Sequence, residues 1–546
     1  MSASALVQAA LGGAAPQAAV PEAAGAVADA DAAVALAAVV LVTAATVLIA
    51  VHGLRLSRTT SDFYVASRTV KPWWNASAIG GEYLSAASFL GVAGLIVVSG
   101  EEGLWFPIGY TAGYLMLLLF VAAPLRRSGA YTLPDFAQMR LGGRLPRLVT
   151  SALVVVVGWL YIVPQLHGAA LTLAITTTLP RWVGPVAVIG IVCLTVLAGG
   201  MRSITFVQAF QYWLKLAALA VPTIFLLLHL GATGESVTAG GAAFDPLPAE
   251  ATGASPLGVP SGDLTFYQTV SLILALLFGT LGLPHVLVRF YTNPDGPSAR
   301  RTTTIVLGLL ALFYLFPTAL GVIGRAHLPG LAGSEHADAT VLLLPGALVG
   351  GVAGDLLTAL VAGGAFAAFL STSSGLVVSL AGVMSQDLFR GTVRGFRIAT
   401  ALACAVPLGV ALLTGTGGLA GAIGAVFAFT ASTICPLLLL GIWWRGLTAR
   451  GAVAGMLSGA VSCGGALLAA QLVPADSSVA GIAVVRVLEQ PAAITVPLAF
   501  LVTVLVSRAA GAPVGRRTGQ VMACLHAPED ADGLAGVPEE ISRWRP

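Results

Sequence analysis

Long apolar runs, separated by short polar stretches, dominate this chain of 546 residues. A bilayer core about 30 Å thick asks for about 20 mainly apolar residues in a helix. Helices and closed barrels alone satisfy their backbone groups in lipid, and the runs here far exceed the roughly 10 residues of a barrel strand. The pattern predicts thirteen helical spans: about 33–51, 74–98, 104–125, 149–175, 183–200, 206–230, 266–288, 304–323, 353–385, 396–415, 419–441, 450–473 and 491–508. The expected fold class is therefore all-α and integral to the membrane.

Basic residues orient those spans. One alternating set of inter-span segments runs from Arg55–Lys71 through Arg126–Arg147, Arg202, Arg289–Arg301, Arg390–Arg397 and Arg445–Arg450 to the tail that starts with Arg508. It holds 23 of the 27 Lys and Arg residues. The other set holds Arg181, Arg325 and Arg486, and Lys215 falls inside a span. Basic loops stay cytoplasmic, which places the N-terminus outside and the C-terminus inside a multi-pass cell-membrane protein. The expected divisions are an external N-terminal tail (1–31), a first transmembrane helix (32–52), a core (74–441), two accessory helices (450–508) and a cytoplasmic tail (509–546). The tail at 1–31 lacks the basic start of a secretory signal. The external stretches 231–265 and 325–352 are expected to be loops.

Composition narrows the function classes. Charged residues make up 9% and hydrophobic residues 57%, against about 25% charged in a soluble chain. The net charge of +3 points to no partner by itself. The expected partners are the bilayer and a small-molecule solute, with no nucleic acid, and the oligomeric state is left open. Cys193, Cys404, Cys435, Cys463 and Cys524 show no CxxC or metal-ligand spacing, so neither a disulfide nor a zinc site is expected. No HExxH, GxSxG or intramembrane carboxylate pair suggests an enzyme, and no cofactor is expected.

Two spans carry signs of a break. The second reads Asn75-Ala-Ser-Ala-Ile-Gly80-Gly81-Glu82-Tyr83, a glycine pair beside a carboxylate near mid-membrane, where a charge costs about 2.5–3.5 kcal/mol on insertion scales. Unwinding at Gly80-Gly81 would free carbonyls suited to a hard cation; the alternative is a glycine face for helix packing. The seventh repeats the theme at Gly279-Thr280-Leu281-Gly282-Leu283-Pro284-His285. Five spans separate the breaks, so spans 2–6 and 7–11 form two five-helix units of opposite orientation, an inverted-repeat core of ten helices. His285 and Arg289, four apart near the cytoplasmic end, suit a gate or a headgroup anchor. In the ninth span Ala368, Ser371 and Thr372 share one helical face, and their oxygens suit an alkali cation. Back-bonding of the hydroxyls to their own helix is the alternative.

These segments resemble the sodium:solute symporter family, and within it the cation–acetate (monocarboxylate) branch. The resemblance rests on SDFYVASRTV at 61–70, GGEYLSAASFLGVAG at 80–94, YTLPDFAQMRLGGR at 131–144, GTLGLPHVLVRFYT at 279–292 and AAFLSTSSGLVVSLAGVMSQDLF at 367–389, and covers about 55–460. It implies a Na+ site formed by the carbonyls of Gly81, Leu84 and Ala368 and the hydroxyls of Ser371 and Thr372. Glu82 stands where the acetate-type motif has Asp, which weakens any detailed role for it; handling a coupling proton is one. The solute is expected beside the second span, with Ser85, Ser88, Gln165 and Thr280 as polar contacts. No deeply placed Arg or Lys stands out as a carboxylate clamp.

The function this implies is symport of a small monocarboxylate such as acetate with Na+ or H+, by alternating access. A same-family symporter of an amino acid or another neutral solute is the alternative, and a solute-sensing transceptor a more distant one. One sodium with one acetate is electroneutral and forgoes the roughly 2.3 kcal/mol per 100 mV available to a moving charge. Strong accumulation would then need a second cation.

Overall fold

The computed structural model describes residues 29–54, 70–234, 262–332, 336–389, 391–415, 418–472, 479–511 and 516–527. Helix accounts for nearly all of them and no strand occurs among them. Most of the expected N-terminal tail, most of 231–265 and the chain after residue 527 lie outside the described residues.

The chain starts with α1 (Asp29–Leu54) and α2 (Pro72–Tyr83), the latter opened by a proline at its first turn, where a missing N–H costs nothing. After a break at Leu84–Ser85 the chain resumes with a π-helical turn, Ala87–Gly91, and α3 (Val92–Ser99). Gly100, at φ 61°, turns it through a short 3₁₀ segment into α4 (Trp105–Phe120). The connection that follows holds α5 (Ala122–Arg127) and α6 (Leu133–Leu141), whose start is a capping box between Thr132 and Asp135. Then follow α7 (Leu145–Thr176), α8 (Val183–Thr233), α9 (Gly262–Gly282), α10 (Pro284–Phe290), α11 (Gly296–His327), α12 (Thr340–Leu348), α13 (Gly351–Leu388), α14 (Val393–Leu413) and α15 (Leu419–Trp443). The last are α16 (Ala449–Leu472), α17 (Val479–Glu489), α18 (Ala492–Ala509) and α19 (Arg516–His526).

Ten helical stretches are long and apolar enough to cross a membrane, eleven if the bent α9–α10 pair counts as one. The expected count of thirteen is not reproduced, and the shortfall has a local cause. The break after Tyr83 leaves α2 only 12 residues long, with the rest of that apolar run continuing into Ala87–Phe120. The fifth expected span is short, Val183–Leu197, and runs on helically past Gly199-Gly200 into the sixth. The segment 325–352, expected as a loop, contains a 3₁₀ turn at Pro329–Leu331, another at Ala337–Ala339, and α12.

Burial sorts the helices. Of the most apolar window in α15, 83% is buried, and 67% in α13, against 28% in α16 and in α1. The first two form the interior of the bundle. α8 lies along α13, α2 and α1; α9 lies along α15 and α4. Arg147, at the start of α7, pairs with Asp135 of α6 at 2.8 Å and Asp387 of α13 at 2.6 Å, tying the three helices together at one end of the bundle.

Candidate functional site

The first break falls one turn later than its glycines. α2 stays helical through Gly80-Gly81 and ends at Leu84 (φ −73°, ψ 87°), whose N–H still reaches Gly80 O at 3.1 Å. Gly81 serves close approach instead: a Cβ there would stand 2.1 Å from Gln208 O on α8. The packing alternative holds for the glycines, while the break frees the carbonyls beyond them. The second break is at Leu283, held extended (φ −68°, ψ 114°) by the following Pro284, and bends the chain by 47°. Steric conflict with a proline ring disfavours helix in the residue before it.

The residues expected to hold a cation do meet. Thr372 Oγ1 donates to Glu82 O at 2.7 Å, and Ser371 Oγ donates to Ala368 O at 3.0 Å. The carbonyls of Gly81 and Leu84 point at the same face of α13, and a cation stands among them. It is Lys215, fully buried on α8, whose Nζ donates to Gly81 O, to Leu84 O at 2.8 Å and to Ser371 Oγ at 2.9 Å.

Glu82 is tied to Arg289 rather than free. Arg289 Nε reaches Glu82 Oε2 at 2.6 Å, its Nη1 reaches Thr205 Oγ1 at 2.7 Å, and its Nη2 donates to Gln208 Oε1. Gln208 Nε2 in turn donates to Ser371 O at 2.8 Å. Gly375 on α13 makes room for the carboxylate, since a Cβ there would stand 2.0 Å from Glu82 Oε1. His285 and Arg289 are both fully buried, which rules out the headgroup anchor and does not test the gate. The bend at Leu283 turns α10 into the bundle. Lys215 and Arg289 are deep basic side chains, but neither is a clamp for a solute carboxylate: Lys215 rests on neutral oxygens and Arg289 on Glu82.

The expected solute contacts gather at the first break. Gln165 Oε1 accepts from Ala86 N at 2.8 Å, Ser88 Oγ meets Tyr314 OH at 2.9 Å, and Thr280 Oγ1 meets Tyr83 OH at 3.1 Å. Ser85 lies beside the Tyr161 hydroxyl. Around them is an aromatic cluster that sequence reasoning missed. Tyr83 packs on Tyr110 and Tyr114 with centroids at 5.8 and 4.5 Å, Tyr110 on Phe427 at 5.1 Å, and Tyr161 on His285 at 5.2 Å. Tyr110 and Tyr114 stand four apart on α4, a helical spacing that marks one shared face. Ser85 Oγ, the hydroxyls of Tyr110 and Tyr114 and both His285 ring nitrogens are buried without a hydrogen-bond partner among the described residues. All these groups are sealed from solvent, so the structure is a closed state.

Known proteins place this geometry. Residues 63–459 match the model of the sodium:solute symporter family. An uncharacterised symporter of Bacillus subtilis is 30% identical over 473 residues, covering 84% of this chain and 90% of its own. A monocarboxylic acid transporter of Corynebacterium glutamicum is also 30% identical, over 492 residues, 82% of this chain and 87% of its own. Among solved structures, a Na+-coupled sialic acid symporter superposes with a TM-score of 0.64 at 16% identity, covering 86% of this chain and 98% of that one. A nucleobase–cation symport transporter superposes at 0.53 and 15% identity, covering 86% and 99%. Those two likenesses show the fold, that of the LeuT-type transporters. The family and these relatives are transporters, not enzymes, and the chain is a multi-pass membrane protein that belongs to the sodium:solute symporter family.

Proposed function

We infer that the protein takes up a small monocarboxylate such as acetate together with a cation, by alternating access around the break at Leu84–Ser85. The observation that carries this reading is the set of buried, unpartnered donors at that break. A buried hydroxyl without a partner costs about 1–3 kcal/mol, and native proteins keep few of them. Ser85, Tyr110, Tyr114 and His285 could together donate to one carboxylate, which accepts through two oxygens. The rings of Tyr83, Tyr161 and Phe427 are apolar neighbours suited to a short carbon chain. The name of the Corynebacterium relative points the same way. The coupling cation, Na+ or H+, acts where Gly81, Leu84, Ala368, Ser371 and Thr372 converge, with no cofactor beyond it. The alternation of basic segments supports an external N-terminus and a cytoplasmic C-terminus.

The test is uptake of labelled acetate, propionate and pyruvate into proteoliposomes under imposed ion gradients. Saturable uptake above equilibrium, inhibited by the other two acids and not by alanine, is the expected result. Inhibition by alanine alone would transfer the site to a neutral solute of the same family. Flux that never exceeds equilibrium would overturn symport.

A further inference from the structure

We propose that the cation of the broken-helix site is the protein's own Lys215 ammonium, and that the ion coupled to solute entry is a proton carried on that amine. The inference rests on the symport reading above.

The ammonium fits the site completely. It has three N–H donors and no acceptor, and it meets three acceptors: Gly81 O and Leu84 O from α2 and Ser371 Oγ from α13. Ser371 gives its own proton to Ala368 O, which leaves its lone pairs for Lys215. Three helices, α2, α8 and α13, are pinned at one nitrogen. A sodium ion at the same oxygens would share them with that charge. Two unit charges even 4 Å apart repel by about 4 kcal/mol at an effective dielectric of 20. The charged lysine and the metal ion therefore exclude each other.

The neutral amine does not fit. It has two N–H donors and a lone pair, so one of the three oxygens would lose its donor and face that lone pair. Loss of the proton thus loosens α2 from α13 at the break. Leu84 O is one residue from Ser85 and two from Ala86, whose N–H is held by Gln165. The solute contacts and the lysine share this one stretch of backbone, and that sharing supplies the coupling. A site can bias two states only if its affinity differs between them. In the cycle, the Lys215 amine takes a proton from external water, the carboxylate enters as its anion, and the outer side closes. The N–H bond breaks toward internal water as the carboxylate leaves. One proton and one anion move inward with no net charge.

The surroundings make Lys215 the group free to do this. The facing titratable side chain is Glu82 of α2, itself committed to Arg289 of α10. On α13 the nearest carboxylates in sequence, Asp355 and Asp387, lie 16 residues to either side of Ser371, about 24 Å along the helix. From α1, Thr46 meets Gln211, one turn before Lys215. On α7, His167 turns to Ala411 O and Thr414. On α11, Leu309 O accepts from Tyr212, and the basic residues Arg300, Arg301 and Arg325 sit in its end turns.

The experiment uses the full-length protein in proteoliposomes and labelled pyruvate, a stronger acid than acetate that crosses bare lipid less, with protein-free liposomes as the blank. A gradient one pH unit more acidic outside, with no sodium present, should drive accumulation of up to about tenfold, since one unit is worth about 1.4 kcal/mol per proton. A sodium gradient at equal pH should drive none. Lys215→Ala and Lys215→Arg should show no proton-driven accumulation above the protein-free blank, while a single symmetric size-exclusion peak and a Tm raised by added pyruvate show that they are folded and bind solute. Accumulation driven by sodium and indifferent to the pH gradient would overturn the inference and leave symport standing. So would a Lys215→Ala protein that still concentrates pyruvate on a pH gradient. Absence of uphill uptake under either gradient would overturn symport, and the inference with it.

Discussion

Two buried cations stand on either side of Glu82, and they are held in opposite ways. Arg289 rests on a carboxylate, a hydroxyl and an amide oxygen, a charge-paired arrangement that locks α10 to α2 and α8. Lys215 rests on two carbonyls and a hydroxyl, all neutral, at the place where α2 stops being a helix. Guanidinium has no neutral form that a protein uses, whereas an ammonium can pass a proton to water and keep a lone pair. The contrast assigns a fixed fastener to one region and a release to the other. It also explains why two basic side chains lie so deep in a chain that is only 9% charged.

The comparison breaks most visibly at the fastener. Arg289→Ala leaves Glu82 buried and unpaired, and stripping one partner from a buried pair costs about 3–5 kcal/mol. The expected outcome is a large loss of folded, monodisperse protein in detergent, with partial recovery in the Arg289→Met, Glu82→Gln double variant. Recovery no better than Arg289→Ala alone would show that the pair is not the fastener.

Asp338 supplies a carboxylate without such a cation. It lies in the short segment before α12, where its Oδ2 accepts from Leu419 N at 2.6 Å, and burial pushes its carboxyl up to about 6. The folded state therefore prefers the protonated acid. Its stabilising share is complete below the unfolded value near 4 and is lost as pH rises through about 6, by at most about 3 kcal/mol. Thermal unfolding between pH 4 and 7 should show this decline in the wild type, and Asp338→Asn should flatten it. An unchanged slope in the variant would remove Asp338 from the account.

Gly81→Ala probes the fit between α2 and α8. The new Cβ meets the Gln208 carbonyl, and overpacking of that kind costs about 1–3 kcal/mol. A lowered Tm together with weakened coupling is expected, because Gly81 O is also a lysine acceptor. Thr372→Ala is the mildest change. It removes the hydrogen bond to Glu82 O, worth about 1 kcal/mol, and should reduce transport severalfold while changing Tm little. Uptake identical to wild type would take Thr372 out of the site.

Much of this site could be read from residue order, and the failures are instructive. The face of Ala368, Ser371 and Thr372 is a matter of helical spacing, which the chain states directly. The pre-proline break at Leu283 is equally local. The first break was legible to within a turn, because a glycine pair marks both unwinding and close packing and only the neighbouring helix decides between them. Lys215 was visible as a lysine inside an apolar span, but its acceptors lie 131 to 156 residues away, and no local pattern reports that distance. Arg289 follows a proline near a predicted cytoplasmic boundary, so position along the chain placed it at the surface. The 47° bend, a tertiary fact, carries it inside. Part of the span count failed at the candidate site itself, where α2, broken after Tyr83, is too short to cross, and part at the fifth expected span, which is short and runs on into the sixth.

The central claim is that a lysine takes the place of a metal ion, and equilibrium binding of radioactive sodium to the purified protein tests it without reference to any solute. The account predicts no saturable sodium binding to the wild type, and one saturable site in Lys215→Ala, where the carbonyls of Gly81, Leu84 and Ala368 and the hydroxyls of Ser371 and Thr372 are left to the ion. Saturable binding to the wild type, unchanged by Lys215→Ala, would contradict it.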